Sequence, residues 1–210
     1  QEEALKLFLT DNIVEAEQIT SKLNKYNLDR QSKEKTIYEE AIRKLENEGE
    51  NKNTIVLAGE GWHHGVIGIV ASKLTEKFFK PTILLSFEGE IAKGSGRSVP
   101  GFDLHTALCD TSKYLEKYGG HEMAVGLSLN KNNLEKFKEE FESISIKKGV
   151  SKITPIIKID AQITYQDINS EAVKELKKLE PFGEANKMPI FMYKNLKIDS
   201  IRALSEGKHL

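Results

Sequence analysis

The sequence predicts an α/β fold on a mixed sheet, with a long helical segment before it and a smaller β-rich segment after it. Three patterns carry that expectation. The run Thr54-Ile55-Val56-Leu57-Ala58 reads as a buried strand and passes through a glycine-rich turn into a helix. A second apolar run, Pro81 to Phe87, reaches a Glu-Gly-Glu turn at 88–90 suited to a hairpin. Beyond residue 147 the character changes to short strand-like runs broken by proline and glycine.

Taken in order, Ala4, Leu5 and Phe8 lie at helical spacing with no initiator methionine before them, so the chain is expected to begin inside a larger protein. Thr10 and Asp11 are N-cap candidates for the next helix. From Asn12 to Asn47 the apolar positions Ile13, Ala16, Ile19, Leu23, Tyr26, Ile37, Ala41 and Leu45 recur mostly at steps of three and four. This predicts one long helix, or two with a break near Asn27, with charges on the remaining surface. A polar break, Gly49 to Asn53, separates it from the first strand.

The turn Gly59-Glu60-Gly61-Trp62-His63-His64-Gly65 opens a helix with Gly68 in its first turns. A helix N-terminus after a glycine-rich turn can hold phosphate, yet the spacing matches neither a Walker loop nor a dinucleotide fingerprint. Gly68 is read as close helix–sheet packing. Adjacent helical residues point about 100° apart, so His63 and His64 are not expected to share a metal ion.

After Ile91 and Ala92, strand propensity stops at Lys93-Gly94-Ser95-Gly96-Arg97-Ser98. If this segment is extended, Ser95 and Arg97 share a face, and a hydroxyl beside a guanidinium suits a terminal phosphate. The alternative is a hydrated loop with a surface arginine. Asp103 is the expected N-cap of a helix carrying Ala107, Leu108 and Leu115 as far as Lys117. That helix leads to Tyr118-Gly119-Gly120-His121-Glu122-Met123-Ala124-Val125-Gly126, read as a turn into a strand. Such a turn can aim N–H groups and an imidazole at an anion, or it can simply bury His121 in a core.

A further amphipathic helix is expected over Asn130 to Ser143, then a linker at Lys147-Lys148-Gly149. Ile153 to Ile163 alternates as a strand, with Ile157, Ile159, Ala161 and Ile163 on one face, and Glu171 to Leu179 reads as a short helix. A loop punctuated by Pro181, Gly183 and Pro189 leads to another strand, and Lys197 to Ala203 to one more. The end, Gly207-Lys208-His209-Leu210, looks like a hairpin without its return strand, which is expected to be a truncation.

Composition bounds the function. Among 210 residues, 30% are charged and the net charge is −1, which excludes an overall basic coat but not a local basic groove. The single cysteine, Cys109, excludes an internal disulfide framework and fits a reducing compartment. No apolar run approaches the ~18 residues of a membrane span. A cytoplasmic protein without a membrane partner is expected.

Four stretches together resemble one family. They are Gly61 to Leu74; Gly94-Ser95-Gly96-Arg97-Ser98 with Gly101-Phe102-Asp103-Leu104; Gly119-Gly120-His121 with Ala124 and Gly126; and Leu179-Glu180-Pro181-Phe182-Gly183 with Asn186 and Pro189. In this order and spacing the chain resembles the C-terminal half of the RecJ single-stranded-DNA-specific exonucleases, in the DHH phosphoesterase superfamily. The resemblance implies a connecting helical segment (1–48), a DHH-associated α/β domain (49–147) and a partial, truncated OB-fold (148–210). It implies a 5′→3′ exonuclease of DNA repair and recombination, using Mn²⁺ or Mg²⁺ on ligands outside this chain, with no cofactor held by these residues. The partner implied is single-stranded DNA, preferably 5′-phosphorylated.

By the same resemblance Trp62, His63, Ser95, Arg97, Ser98, Gly119, Gly120 and His121 would contact substrate, with His121 meeting the phosphate nearest the metals. The family's Asp-His-His triplet is missing from the sequence. These residues are therefore expected to form the gripping side of a cleft and to be inactive alone. Two other readings stay open: an oligonucleotide or nucleotide phosphatase of the same superfamily, and a non-catalytic nucleic-acid-binding module.

Overall fold

A 36-residue helix leads into a five-stranded mixed sheet in the computed structural model, which describes residues 2–48, 52–197 and 200–201. Helix α1 (Glu2–Leu9) precedes α2 (Ile13–Glu48). The N-terminus of α2 is capped by Asn12, not by Thr10 or Asp11: its Oδ1 accepts from the N–H groups of Val14 and Glu15. The helix is unbroken at Asn27, whose amide oxygen instead accepts from the Arg30 guanidinium one turn on. In its second half, Ile37 and Ala41 are buried.

Strands β1 (Ile55–Glu60) and β2 (Thr82–Glu88) pair in parallel through the crossover helix α3 (His64–Phe78). The chain then turns back into β3 (Ile91–Arg97), antiparallel to β2. Next come α4 (Leu104–Asp110), β4 (Lys117–His121), β5 (Ala124–Asn130) and α5 (Leu134–Lys147). The sheet order is β1-β2-β3-β5-β4.

Each face of the sheet has its own core. On one face, Ile55, Leu57 and Leu84 meet Val66, Ile67, Val70, Ala71 and Leu74 of α3, with α2 behind through Ile37 and Ala41. On the other, Val56, Ile83, Leu85, Ala92, Val125, Leu127 and Leu129 meet α4 and α5. There Phe137 and Phe141 stack with centroids 5.6 Å apart, both fully buried. Burying a side chain of this size contributes about 1.5–3 kcal/mol.

The structure revises two segments around the candidate site. Residues 91–97 form a strand inside the sheet, not a loop. A Cβ on Gly94 would stand 2.8 Å from Leu85, and one on Gly96 2.7 Å from Val125, so the glycines make room for neighbouring strands. The helix after Asp103 ends at Asp110, and a short 3₁₀ turn (Ser112–Tyr114) delivers the chain to β4. Gly119, Gly120 and His121 consequently lie on an edge strand, with the turn proper at Glu122 and Met123. Asp103 does cap α4, accepting from the Thr106 N–H at 2.9 Å.

The chain divides into two compact units, 1–154 and 155–210. In the second, β6 (Ala161–Gln162) pairs in parallel with β7 (Phe191–Met192), and α6 (Ser170–Lys177) lies between them in sequence. The long strand expected from Ile153 to Ile163 is therefore paired only at its end, with Ile156 and Ile157 exposed. Asn186 braces the proline–glycine loop, donating from its side chain to the carbonyls of Leu179 (2.7 Å) and Pro181 (3.1 Å). The strand expected over Lys197 to Ala203 lies mostly outside the described residues. No helix among the described residues is long and apolar enough to cross a membrane.

Candidate anion-binding groove

Strand register lines up the candidate residues in rows across β3, β5 and β4. Ser95 pairs with Gly126, which pairs with Gly119; Arg97 pairs with Ala124, which pairs with His121. Directly opposed residues of a sheet point to the same side, so Ser95, Arg97 and His121 share one face. Two strand spacings put the backbones of Arg97 and His121 roughly 10 Å apart. Helix α3 packs over β2 and β3 on this face. Beside it the sheet surface opens as a groove of about 450 Å³, lined by Ser95 and by His64, Ile67, Lys93, Lys117 and Ser128, with Gly94 and Gly126 in its floor. The row of Arg97 and His121 borders it.

Arg97 is half-buried beneath α3. Its Nη1 donates to Ser95 Oγ at 3.0 Å and to the Gly96 carbonyl at 2.7 Å. A Cβ on Gly68 would come within 2.9 Å of the guanidinium, so this helical glycine is what lets the arginine lie there. Among the described residues no carboxylate pairs with Arg97. Since Ser95 Oγ accepts from the arginine, its own O–H is left to donate outward.

The neighbouring turn is held tightly. Ser98 N–H donates to the Met123 carbonyl and Leu104 N–H to the Glu122 carbonyl, both at 3.0 Å. His121 Nδ1 accepts from the Met123 N–H at 3.3 Å, which directs Nε2 away from the turn. Gly120 sits at φ +140°, and a Cβ there would meet the Ala124 carbonyl oxygen at 2.2 Å. Only glycine fits.

Three candidates fall outside the groove. Trp62 is buried against α3 and α2, and its Nε1 donates to Glu40 at 2.8 Å. The ring is enclosed in that core. Ser98 is buried and its hydroxyl donates to the Phe102 carbonyl at 2.7 Å. His63 caps α3, its Nδ1 accepting from the Gly65 N–H at 3.1 Å. The next residue, His64, lines the groove instead.

His64, Lys93, Lys117 and Ser128 were not singled out by sequence. The signal was the two-residue alternation Lys93-Ser95-Arg97 and Lys117-Gly119-His121, visible once both segments are taken as strands. Glu88 binds Lys93 (2.7 Å) and His64 together, and these contacts, Lys93 first, hold its carboxyl below the usual range. No three His, Cys, Asp or Glu side chains converge as a metal site among the described residues. What the groove offers chemically is donors and positive charge for an anion.

The DHHA1 domain family matches residues 51–147 and the RecJ OB domain family residues 159–210. The single-stranded-DNA-specific exonuclease RecJ of Bacillus subtilis (strain 168) is 32% identical over 208 residues, covering 98% of this chain and 26% of that protein. The crystal structure of Thermus thermophilus RecJ with Mg²⁺ superimposes with a TM-score of 0.78 at 28% identity, covering 90% of this chain and 29% of that one. Its Mn²⁺ counterpart gives 0.76 at 29% identity, covering 91% and 28%. The chain thus spans little more than a quarter of the length of these relatives.

Proposed function

The chain is a RecJ-type segment carrying a DHHA1 domain and a RecJ OB domain, and from that premise we propose that it is the substrate-gripping part of a metal-dependent 5′→3′ single-stranded-DNA exonuclease of DNA repair and recombination. In this reading residues 49–147 hold the strand's 5′ end, 1–48 connect to the catalytic domain and 148–210 carry the strand onward. The observation that supports it most is the Arg97–Ser95 pair, free of any carboxylate among the described residues, with Ser95 lining a groove that also carries Lys93 and Lys117. A guanidinium offers paired donors to a phosphate, and a terminal phosphate carries more charge than an internal diester.

The work of these residues is to bind and orient. Arg97 and the Ser95 hydroxyl hold the terminal phosphate, and His121 Nε2 donates to the phosphate beside it. The described residues do not supply a donor set for the Mg²⁺ or Mn²⁺ that accompanies Thermus thermophilus RecJ. No bond-breaking step is assigned to them.

Equilibrium binding of fluorescent single strands tests the proposal, comparing 5′-phosphate with 5′-hydroxyl ends. Wild type is expected to prefer the phosphorylated end. Arg97→Ala is expected to lose roughly ten- to hundredfold on that end and little on the other, the equivalent of about 1.5–3 kcal/mol for a hydrogen bond to a charged group. Equal losses on both ends, or none, would overturn the assignment.

A further inference from the structure

Two residues along each strand beyond Ser95, Gly126 and Gly119 lies a second polar row: Lys93, Ser128 and Lys117, paired in register across β3, β5 and β4. All three line the groove. Lys117 has no ion-pair partner among the described residues, and Lys93 shares Glu88 with His64. Between this row and Arg97 only Ser95 projects from the floor, and nothing lies within 4 Å of where a Cβ on Gly119 or Gly126 would stand. Four residues of strand separate the rows, about 13 Å at the rise of an extended chain. The Arg97 guanidinium reaches back over Ser95, which leaves its tip about two residues of strand, or roughly 7 Å, from the lysine row.

We infer that the Lys93–Ser128–Lys117 row is a second phosphate subsite, taking an internal phosphodiester of a strand whose end is held by Arg97. The inference rests on the proposed function and deepens it: the groove selects a chain of nucleotides over a single one. Lysines suit this position because a flexible ammonium reads charge without demanding a fixed geometry, whereas the end is read by a guanidinium. The glycine floor lets a sugar–phosphate backbone pass close to the sheet. Glu88 keeps Lys93 and His64 in place until a phosphate competes for them.

The test is a length series of 5′-phosphorylated oligothymidylates, from mononucleotide to hexanucleotide, titrated calorimetrically into the chain at several salt concentrations. Wild-type affinity is expected to rise with length. Lys117→Ala is expected to bind the mononucleotide as wild type does but to lose three- to tenfold on the hexanucleotide. The slope of log K against log salt should fall by about 0.7, the value for one phosphate contact on a single strand. Lys117→Arg should restore both. Lys117→Ala indistinguishable from wild type at every length, or equally weakened on the mononucleotide, would overturn the inference. So would an acidic peptide of equal charge competing as well as the hexanucleotide. If Arg97→Ala abolishes the end preference while Lys117→Ala changes nothing, this inference alone falls; if the chain binds no oligonucleotide, the proposed function falls with it.

Discussion

Glu142 shows how one side chain joins distant parts of the chain. From α5 it accepts bonds from the N–H groups of Asn53 and Thr54 and from both their side chains, at the entrance to β1. Burial works to raise its carboxyl, but the Thr54 and Asn53 donors together hold it below the usual carboxylate range. A group with a depressed folded pKa stabilises the fold above its unfolded value, near 4.3, and that stability is lost as pH falls through the folded value. Glu142→Gln is therefore expected to lower stability by about 1–3 kcal/mol at pH 7. Denaturant melts from pH 7 to pH 3 should show the deficit shrinking toward zero in acid. A deficit unchanged across that range would mean that the ionised form of Glu142 is not what matters.

At the scale of elements, packing decided where sequence pattern alone misled. Strands β1 and β2 and helix α3 were legible because their apolar runs are long and their turns carry glycine. Strand β3 was not, since its inward positions Gly94 and Gly96 are small for lack of room, which reads in sequence as low strand propensity. Strand β4 is an exposed edge with two glycines, so it carries no hydrophobic alternation to recognise. The Ser95–Arg97 pairing was legible from spacing alone. The rows joining them to His121 and Lys117 depend on β5 lying between β3 and β4, an order that no local pattern encodes. The burial of Trp62 was not legible for a similar reason: its partner, Glu40, stands 22 residues away on α2.

That contact makes a prediction about how α2 docks. A Cβ on Gly59 would stand 2.1 Å from the Trp62 ring, so Gly59→Ala must push the indole aside and loosen α2 over α3. The expected result is a red-shifted emission from the single tryptophan and a loss of about 1–3 kcal/mol, the range for overpacking a filled site. Unchanged emission and stability would show that Trp62 is not confined as described.

The whole molecule combines a well-packed first unit with a second in which no described residue from Pro155 onward is buried. Phosphate recognition is assigned to the first. With no metal donor set among its described residues, the purified chain is expected to release no nucleotides from a labelled single strand with Mn²⁺ or Mg²⁺, while still binding it. Metal-dependent release that disappears in Arg97→Ala would contradict that division of labour. The most direct test of the central claim is a crystal structure of the chain with a short 5′-phosphorylated single strand. The expected result is a terminal phosphate hydrogen-bonded to the Arg97 guanidinium and the Ser95 hydroxyl, with the strand passing over Gly126 and Gly119. A strand bound on any other face, with Arg97 still turned only to Ser95 and Gly96, would contradict it.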